Sequence, residues 1–213
     1  MSKAAALALT AASLALTLPL GAQPMQKPGA QNSALVKAGT YKVDPAHTLI
    51  KWSVDHMGFT PYFGLFGDVT GSLTIDPATL AAAKVDVTIP VAKITTASPA
   101  LNAHLLKPAG ASGKPDFFGA APANARFVST AVTSLGKGRA RITGNLTLNG
   151  VTRPVVLNAA FYGAGILPQM MGGGDGLGFT ATGKIMRSQF GIGFGIPVVS
   201  DEVALEISAA FVK

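Results

Sequence analysis

The sequence predicts an all-β fold: an antiparallel β-barrel of about eight strands with a short helical insertion. Three observations point there. The stretch Arg139–Tyr162 alternates apolar and polar residues on both sides of Asn149-Gly150, so Ile142, Leu146 and Leu148 share one face of a hairpin with Val155, Leu157, Ala159 and Phe161. Asn-Gly favours a type I′ turn, whose twist matches that of the strands it joins. About eight or nine strand-like segments follow one another at hairpin-sized spacing, and one stretch, Ser98–Leu106, changes to a helical period. Closing such a meander removes its exposed edges, and an eight-stranded barrel is about wide enough for one small ligand. A two-sheet sandwich requires the same one-faced strands, so it stands as the competing architecture, with the long apolar alternation favouring the barrel.

The elements justify themselves in order. Lys3, the apolar run Ala4–Leu18 and the small residues near Ala22 read as a signal peptide over residues 1–22, cleaved before Gln23, which makes this an exported protein. Residues 23–38 are rich in Pro, Gln, Ala and Gly without periodicity and read as a flexible linker; residues 39–213 form the folded domain. A first strand covers Thr40–Val43. A second runs from His47 to His56 with Ile50, Trp52, Val54 and His56 on one face. Gly58–Asp68 reads as a Gly- and aromatic-rich connection that includes Phe59. Strands follow around Val69–Ile75 and Val85–Val91, the latter alternating through Val87 and Ile89. Ser98 caps a short helix whose first position suits Pro99, and a second helical turn is expected around Asp116–Phe118. The whole span Ile94–Asn124 is too long for a plain connection and reads as a cover over an opening. Phe127–Thr133, the central hairpin, Phe179–Arg187 and Val203–Phe211 complete the strands, with a Gly-rich loop at Gly163–Gly178 that carries Ile166, Leu167, Met170 and Met171.

Composition narrows the function classes. The chain has 213 residues, 48% hydrophobic and 13% charged, enough for a single large β domain and too apolar for a disordered one. Its net charge is +7, but Lys and Arg are scattered singly without interleaved aromatics, so no nucleic-acid partner is expected and an anionic lipid surface is the better match. There is no cysteine, which excludes disulfides and thiol chemistry. His47, His56 and His104 lack a short ligand spacing, so neither a metal nor another cofactor is expected. No Gly-x-Ser-x-Gly nucleophile elbow occurs.

A family resemblance is carried by Tyr41-Lys42-Val43-Asp44 with His47-Thr48, Trp52–Gly58, Asp116-Phe117-Phe118, Gly144–Val155, Arg187–Gly191 and Val199–Val203. In this order, over essentially the whole mature chain, the set resembles the YceI-like polyisoprenoid-binding family. The resemblance implies a periplasmic, lipocalin-like barrel that holds a long apolar chain such as a polyisoprenoid, an isoprenoid quinone or a fatty acid or amide, and it implies no catalytic reaction. The chain departs from the family pattern at Ser98-Pro99-Ala100, where many relatives carry acidic residues, and in its Gly- and Met-rich loop.

The binding reading places the ligand's tail against Ile50, Trp52 and Val54 on one strand, Val87 and Ile89 on another, Phe59 and Phe127, and Leu146, Leu148, Leu157 and Phe161 of the central hairpin. His56 and Arg187 lie at strand ends on otherwise apolar faces, where they meet either a ligand head group or a structural partner such as backbone or Asp201. A different class, a small exported hydrolase or isomerase using His56 with a carboxylate, would need that pair to meet in space. A partner-docking structural domain is the third class. Transient contact with a membrane surface and a homodimer both stay open at this stage.

Overall fold

The computed structural model describes residues 26–111 and 113–213. The expected signal peptide, residues 1–22, lies outside them. Eleven strands and one helix follow in the order β1 Gly29–Ala30, β2 Gly39–Val43, β3 Leu49–His56, β4 Thr60–Phe66, β5 Thr70–Ile75, β6 Lys84–Ile89, α1 Pro99–Leu105, β7 Ala125–Gly136, β8 Arg139–Leu148, β9 Val151–Ile166, β10 Asp175–Met186 and β11 Glu202–Val212. Eight of them close a ring in the order β9-β8-β7-β6-β5-β2-β11-β10, with β10 pairing back onto β9, and every pairing is antiparallel. The ring decides for the barrel over the sandwich. Its interior is the predicted apolar face, with Tyr41, Leu73, Ile89, Phe127, Val155 and Phe211 all buried.

The central hairpin forms as expected. Asn149 and Gly150 take φ of 52° and 77°, both left-handed, as a type I′ turn requires. Asn149 also ties this turn to the far side of the barrel end, its amide donating to the Phe190 carbonyl at 3.1 Å.

Three expectations need correction. Gly58–Asp68 is not a connection: Thr60–Phe66 forms β4, reached through a tight turn in which Met57 and Gly58 have φ of 65° and 70°. Pro61 and Gly64 hid the strand, and both have reasons to be there. The far side of β4 carries no strand, only an isolated bridge from Leu65 to Thr95, so Pro61 needs no ladder donor. Gly64 lies under the Trp52 indole, where a Cβ would stand 2.5 Å from Cζ2. Second, residues 23–38 are not all linker. The sixteen residues of β9 overhang β8, whose pairing stops at Ala160, and β1 covers that bare edge by pairing Gly29 with Gly165 and Ala30 with Ala164. Contact is so close that a Cβ on Gly165 would stand 2.0 Å from the Pro28 carbonyl oxygen. Lys37 then pairs with Asp175 at 2.7 Å and its carbonyl accepts from the Tyr41 hydroxyl. Third, Asp116–Phe118 forms bends and no helical turn; the Phe118 N–H donates instead to the Leu105 carbonyl at the end of α1.

The hairpin β3–β4 is a flap beside the ring. β3 pairs with the early part of β11, from Ala204 to Ser208, while β2 pairs with its end at Phe211 and Val212. With α1 and the segment 187–200, this flap surrounds one end of the barrel. The helix starts where the sequence signals it: Ser98 Oγ accepts from the Leu101 N–H, Pro99 occupies the first position, and Leu105 is buried below.

Candidate functional site

At that end lies a cavity of about 370 Å³. One wall is the inward face of the flap: Ile50, Trp52, Val54 and His56 of β3 with Tyr62 and Phe66 of β4. The opposite wall takes Ile89, Ala125, Leu146, Leu148, Ile185, Val203 and Leu205 from five strands of the ring. Its cover is built from Leu101, His104 and Leu105 of α1, Phe117 and Phe118, and Ile192, Phe194 and Val199 of the segment after β10. The polar groups that reach it are few: those of His56, Tyr62, His104 and Arg187, and the buried Trp52 Nε1, which has no hydrogen-bond partner among the described residues.

Arg187 is one of them, and it is only 5% exposed. Its Nε donates to the Ser200 carbonyl at 2.9 Å, Nη1 to Ile192 and Phe194 at 3.1 and 2.8 Å, and Nη2 to Val199 at 2.9 Å. Four of its five N–H groups thus pin one loop. Burial pulls the guanidinium pKa below its ordinary value, partly offset by the nearby Asp201 carboxylate. Period-two parity correctly aimed Arg187 at the interior; of the two partners considered, the backbone is the one it meets.

Asp201 secures the same segment from outside. Its carboxylate accepts from the Ser188 hydroxyl at 2.6 Å and the Ser188 N–H at 2.7 Å, and these bonds hold its pKa below the usual carboxylate value. A carboxyl with a depressed folded pKa stabilises the fold above its unfolded pKa of about 4, and that contribution is lost as pH falls through the folded value. Asp201→Asn therefore costs about 1 kcal/mol at pH 7 in urea unfolding, and the difference from the native protein shrinks once pH drops below about 4. A constant difference down to pH 2 would contradict this account.

His56 sits at the end of β3, exposed, bridged through its backbone to Val199, and its imidazole has no hydrogen-bond partner among the described residues. The carboxylate pair that the hydrolase reading required at His56 is not formed. At the cover a pair that was not foreseen does form, His104 Nε2 and Asp116 Oδ2 at 2.8 Å, while His47 Nδ1 and Asp44 Oδ2 pair at 2.7 Å outside the cavity lining. The His104 ring meets the edges of Phe117 and Phe194 at centroid distances of 5.2 and 5.4 Å, and Phe117 meets Phe194 at 5.5 Å. These three rings clasp the inserted segment to the loop that Arg187 pins. Among the described residues no group of three His, Asp or Glu side chains is arranged to hold a metal.

Of the residues singled out from sequence, Ile50, Trp52, Val54, His56, Ile89, Leu146, Leu148 and Arg187 line the cavity. Five do not. Phe59 projects from the tip of the flap and is 83% exposed, because the chain turns there instead of crossing the barrel. Val87, Phe127, Leu157 and Phe161 face inward but lie deeper, packed into the core below. Alternation does not reveal Tyr62, Phe66 or the cover residues: Pro61 and Gly64 disguise β4 as a connection, and no period relates the cover to the barrel.

Comparison with known proteins decides the kinship. The YceI-like domain family matches residues 41–211. The chain belongs to the YceI-like family. A UPF0312 protein of Pseudomonas putida strain W619 is 35% identical over 192 residues, covering 86% of this chain and 94% of its own. One from Enterobacter sp. strain 638 is 37% identical, over 83% of this chain and 88% of its own. Among solved structures, a Campylobacter jejuni YceI protein is 29% identical with a TM-score of 0.60, covering 75% of this chain and 90% of its own. A polyisoprenoid binding domain from Saccharophagus degradans shares the fold at a TM-score of 0.54 and 12% identity, covering 83% of this chain and 99% of its own. The YceI-like barrel is thus the frame in which this cavity, its cover and its rim are set.

Proposed function

We propose that the protein is an exported, non-covalent carrier of an amphiphile, whose apolar chain lies in the barrel-end cavity. The cavity carries this reading: it is large enough for a ligand, walled by apolar side chains, and placed beneath a cover made of separate segments. Each methylene moved out of water contributes about 0.8 kcal/mol before ordering costs, so a chain of ordinary length supplies useful affinity without a chemical step. A polar head group stops near His56, whose imidazole is unpartnered among the described residues, and near Arg187, which gives four of its five N–H groups to backbone carbonyls. The polyisoprenoid binding of the Saccharophagus domain supports a lipid ligand, and the signal-like N-terminus supports delivery to the periplasm.

Mass spectrometry of an organic extract, from protein recovered without detergent, tests this. A reproducible acyl or prenyl species at near-equal ratio is expected, on a chain whose intact mass starts close to Gln23. An empty extract, with no later uptake of fluorescent fatty acid, would remove the carrier reading.

A further inference from the structure

We infer that the tip of the flap is the surface by which the protein docks on a lipid bilayer, with Met57, Phe59 and Val198 entering the head-group layer beside the cavity mouth. The inference rests on the carrier reading and adds to it the place where cargo is handed over.

Three apolar side chains stand in water at one spot. Phe59 is 83% exposed, Val198 54% and Met57 52%, and none of them lines the cavity. The backbone brings them together: the Met57 N–H donates to the Val198 carbonyl at 2.8 Å, and next to this pair His56 bridges Val199. The turn is held in shape. Asp55 Oδ1 accepts from the Gly58 N–H at 2.7 Å, the Asp55 N–H donates to Ser200 Oγ at 2.9 Å, and the Ser200 N–H donates to the Asp55 carbonyl at 3.0 Å. Met57 is fixed there at a left-handed φ of 65°, an uncommon conformation for a long apolar residue. An apolar crown held in place in this way is a contact surface in want of a partner.

Its surroundings identify the partner as a bilayer. The crown is continuous with the cavity mouth, since His56, Phe194, Gly195 and Val199, the neighbours of Met57 and Val198 in the flap and the facing loop, all line the cavity. A long apolar chain passing that mouth comes from lipid, because water dissolves it poorly. Size points the same way. The three side chains expose on the order of 300 Å², short of the roughly 800 Å² per partner that a stable protein interface takes. Docking on a bilayer instead adds buried apolar area to attraction for anionic lipid, so a small crown on a cationic domain suffices for reversible contact. The charge fits: 17 Lys and Arg stand against 10 Asp and Glu, and of these residues only Lys3 lies in the expected leader. Lys107, just after the cover helix, is exposed at this end, while the Asp55 carboxylate is turned in onto Gly58.

Stopped-flow transfer of an anthroyloxy-labelled fatty acid, from the full chain to phosphatidylcholine vesicles with and without phosphatidylglycerol, tests this. Docking makes the rate rise in proportion to vesicle concentration, and more steeply with phosphatidylglycerol present; release through water makes it independent of vesicles. Phe59→Ser combined with Val198→Ser should lower that dependence about tenfold or more, while affinity for the probe in water stays within about twofold. Met57→Asn is an independent second variant, because asparagine accepts a left-handed φ. Met170→Ser is the control: Met170 is 92% exposed but lies in the loop joining β9 to β10, at the other end of the barrel, and should transfer as the native protein does. A native rate that ignores vesicle concentration, crown variants that transfer normally, or a Met170→Ser variant slowed as much as they are, overturns the docking surface and leaves the carrier reading intact. So does a dimer in sedimentation velocity that Phe59→Ser dissolves, which would make the crown a contact between two copies. If the probe does not bind the native protein in water at all, it is the carrier reading that fails, and this inference falls with it.

Discussion

Replacing Arg187 with leucine lowers the stability of the ligand-free protein by about 4 kcal/mol, measured by urea unfolding at neutral pH. The substitution keeps an apolar body of similar reach but removes donors to four carbonyls, those of Ile192, Phe194, Val199 and Ser200. Each buried carbonyl left without a partner costs about 1–3 kcal/mol, and water entering the loosened loop returns part of that. Against a domain stability of roughly 5–15 kcal/mol, this removes a large fraction. Arg187→Lys rescues little, because an ammonium cannot span four acceptors spread along the segment 192–200. A melting temperature within two degrees of the native protein would show that the guanidinium belongs to the ligand and not to the loop.

The double substitution Leu146→Trp with Leu205→Trp weakens uptake of a fatty acid probe by about two orders of magnitude, with little loss of stability. Both residues are half-buried and line the cavity from the ring side, so added rings grow into open space and not into packed neighbours. Two tryptophans take up roughly 120 Å³ more than two leucines, room for about four methylenes at roughly 30 Å³ each. At about fourfold per methylene, the lost contacts amount to about 250-fold. Unchanged uptake by a folded double variant would place the ligand somewhere other than this cavity.

The parts that could be read from the sequence share a physical cause. Period-two alternation and the Asn149-Gly150 turn depend on neighbours in the chain, so the central hairpin, the all-β class and the inward aim of Trp52, His56 and Arg187 were all legible. Depth was not. Alternation says that Phe127 and Leu157 point inward, but whether they line a void or fill it depends on Gly144 and Gly183 on the neighbouring strands. β4 went unrecognised because Gly64 answers to Trp52, a partner on another strand. Likewise the partners of Arg187 are carbonyls, which every residue carries and no composition reveals. At the start of the domain, a proline- and glycine-rich stretch looked like a tether until β9 proved long enough to need its edge covered.

The ring clasp over the cavity sets how readily the barrel end can breathe. His104, Asp116, Phe117 and Phe118 are tied to one another within the insertion, so it can move as one piece without breaking its own bonds. Across to the Arg187-pinned loop, the ring contacts to separate are those of Phe194 with His104 and with Phe117. At about 0.5–1.5 kcal/mol each, parting them costs about 2 kcal/mol, and swinging the insertion also uncovers Leu105 and parts Phe118 from Phe66, whose rings meet at 6.4 Å. Separating β3 from β11 would instead break a five-residue ladder and tear the flap from the ring. Cargo exchange by the first route leaves the barrel wall at rest while the cover swings.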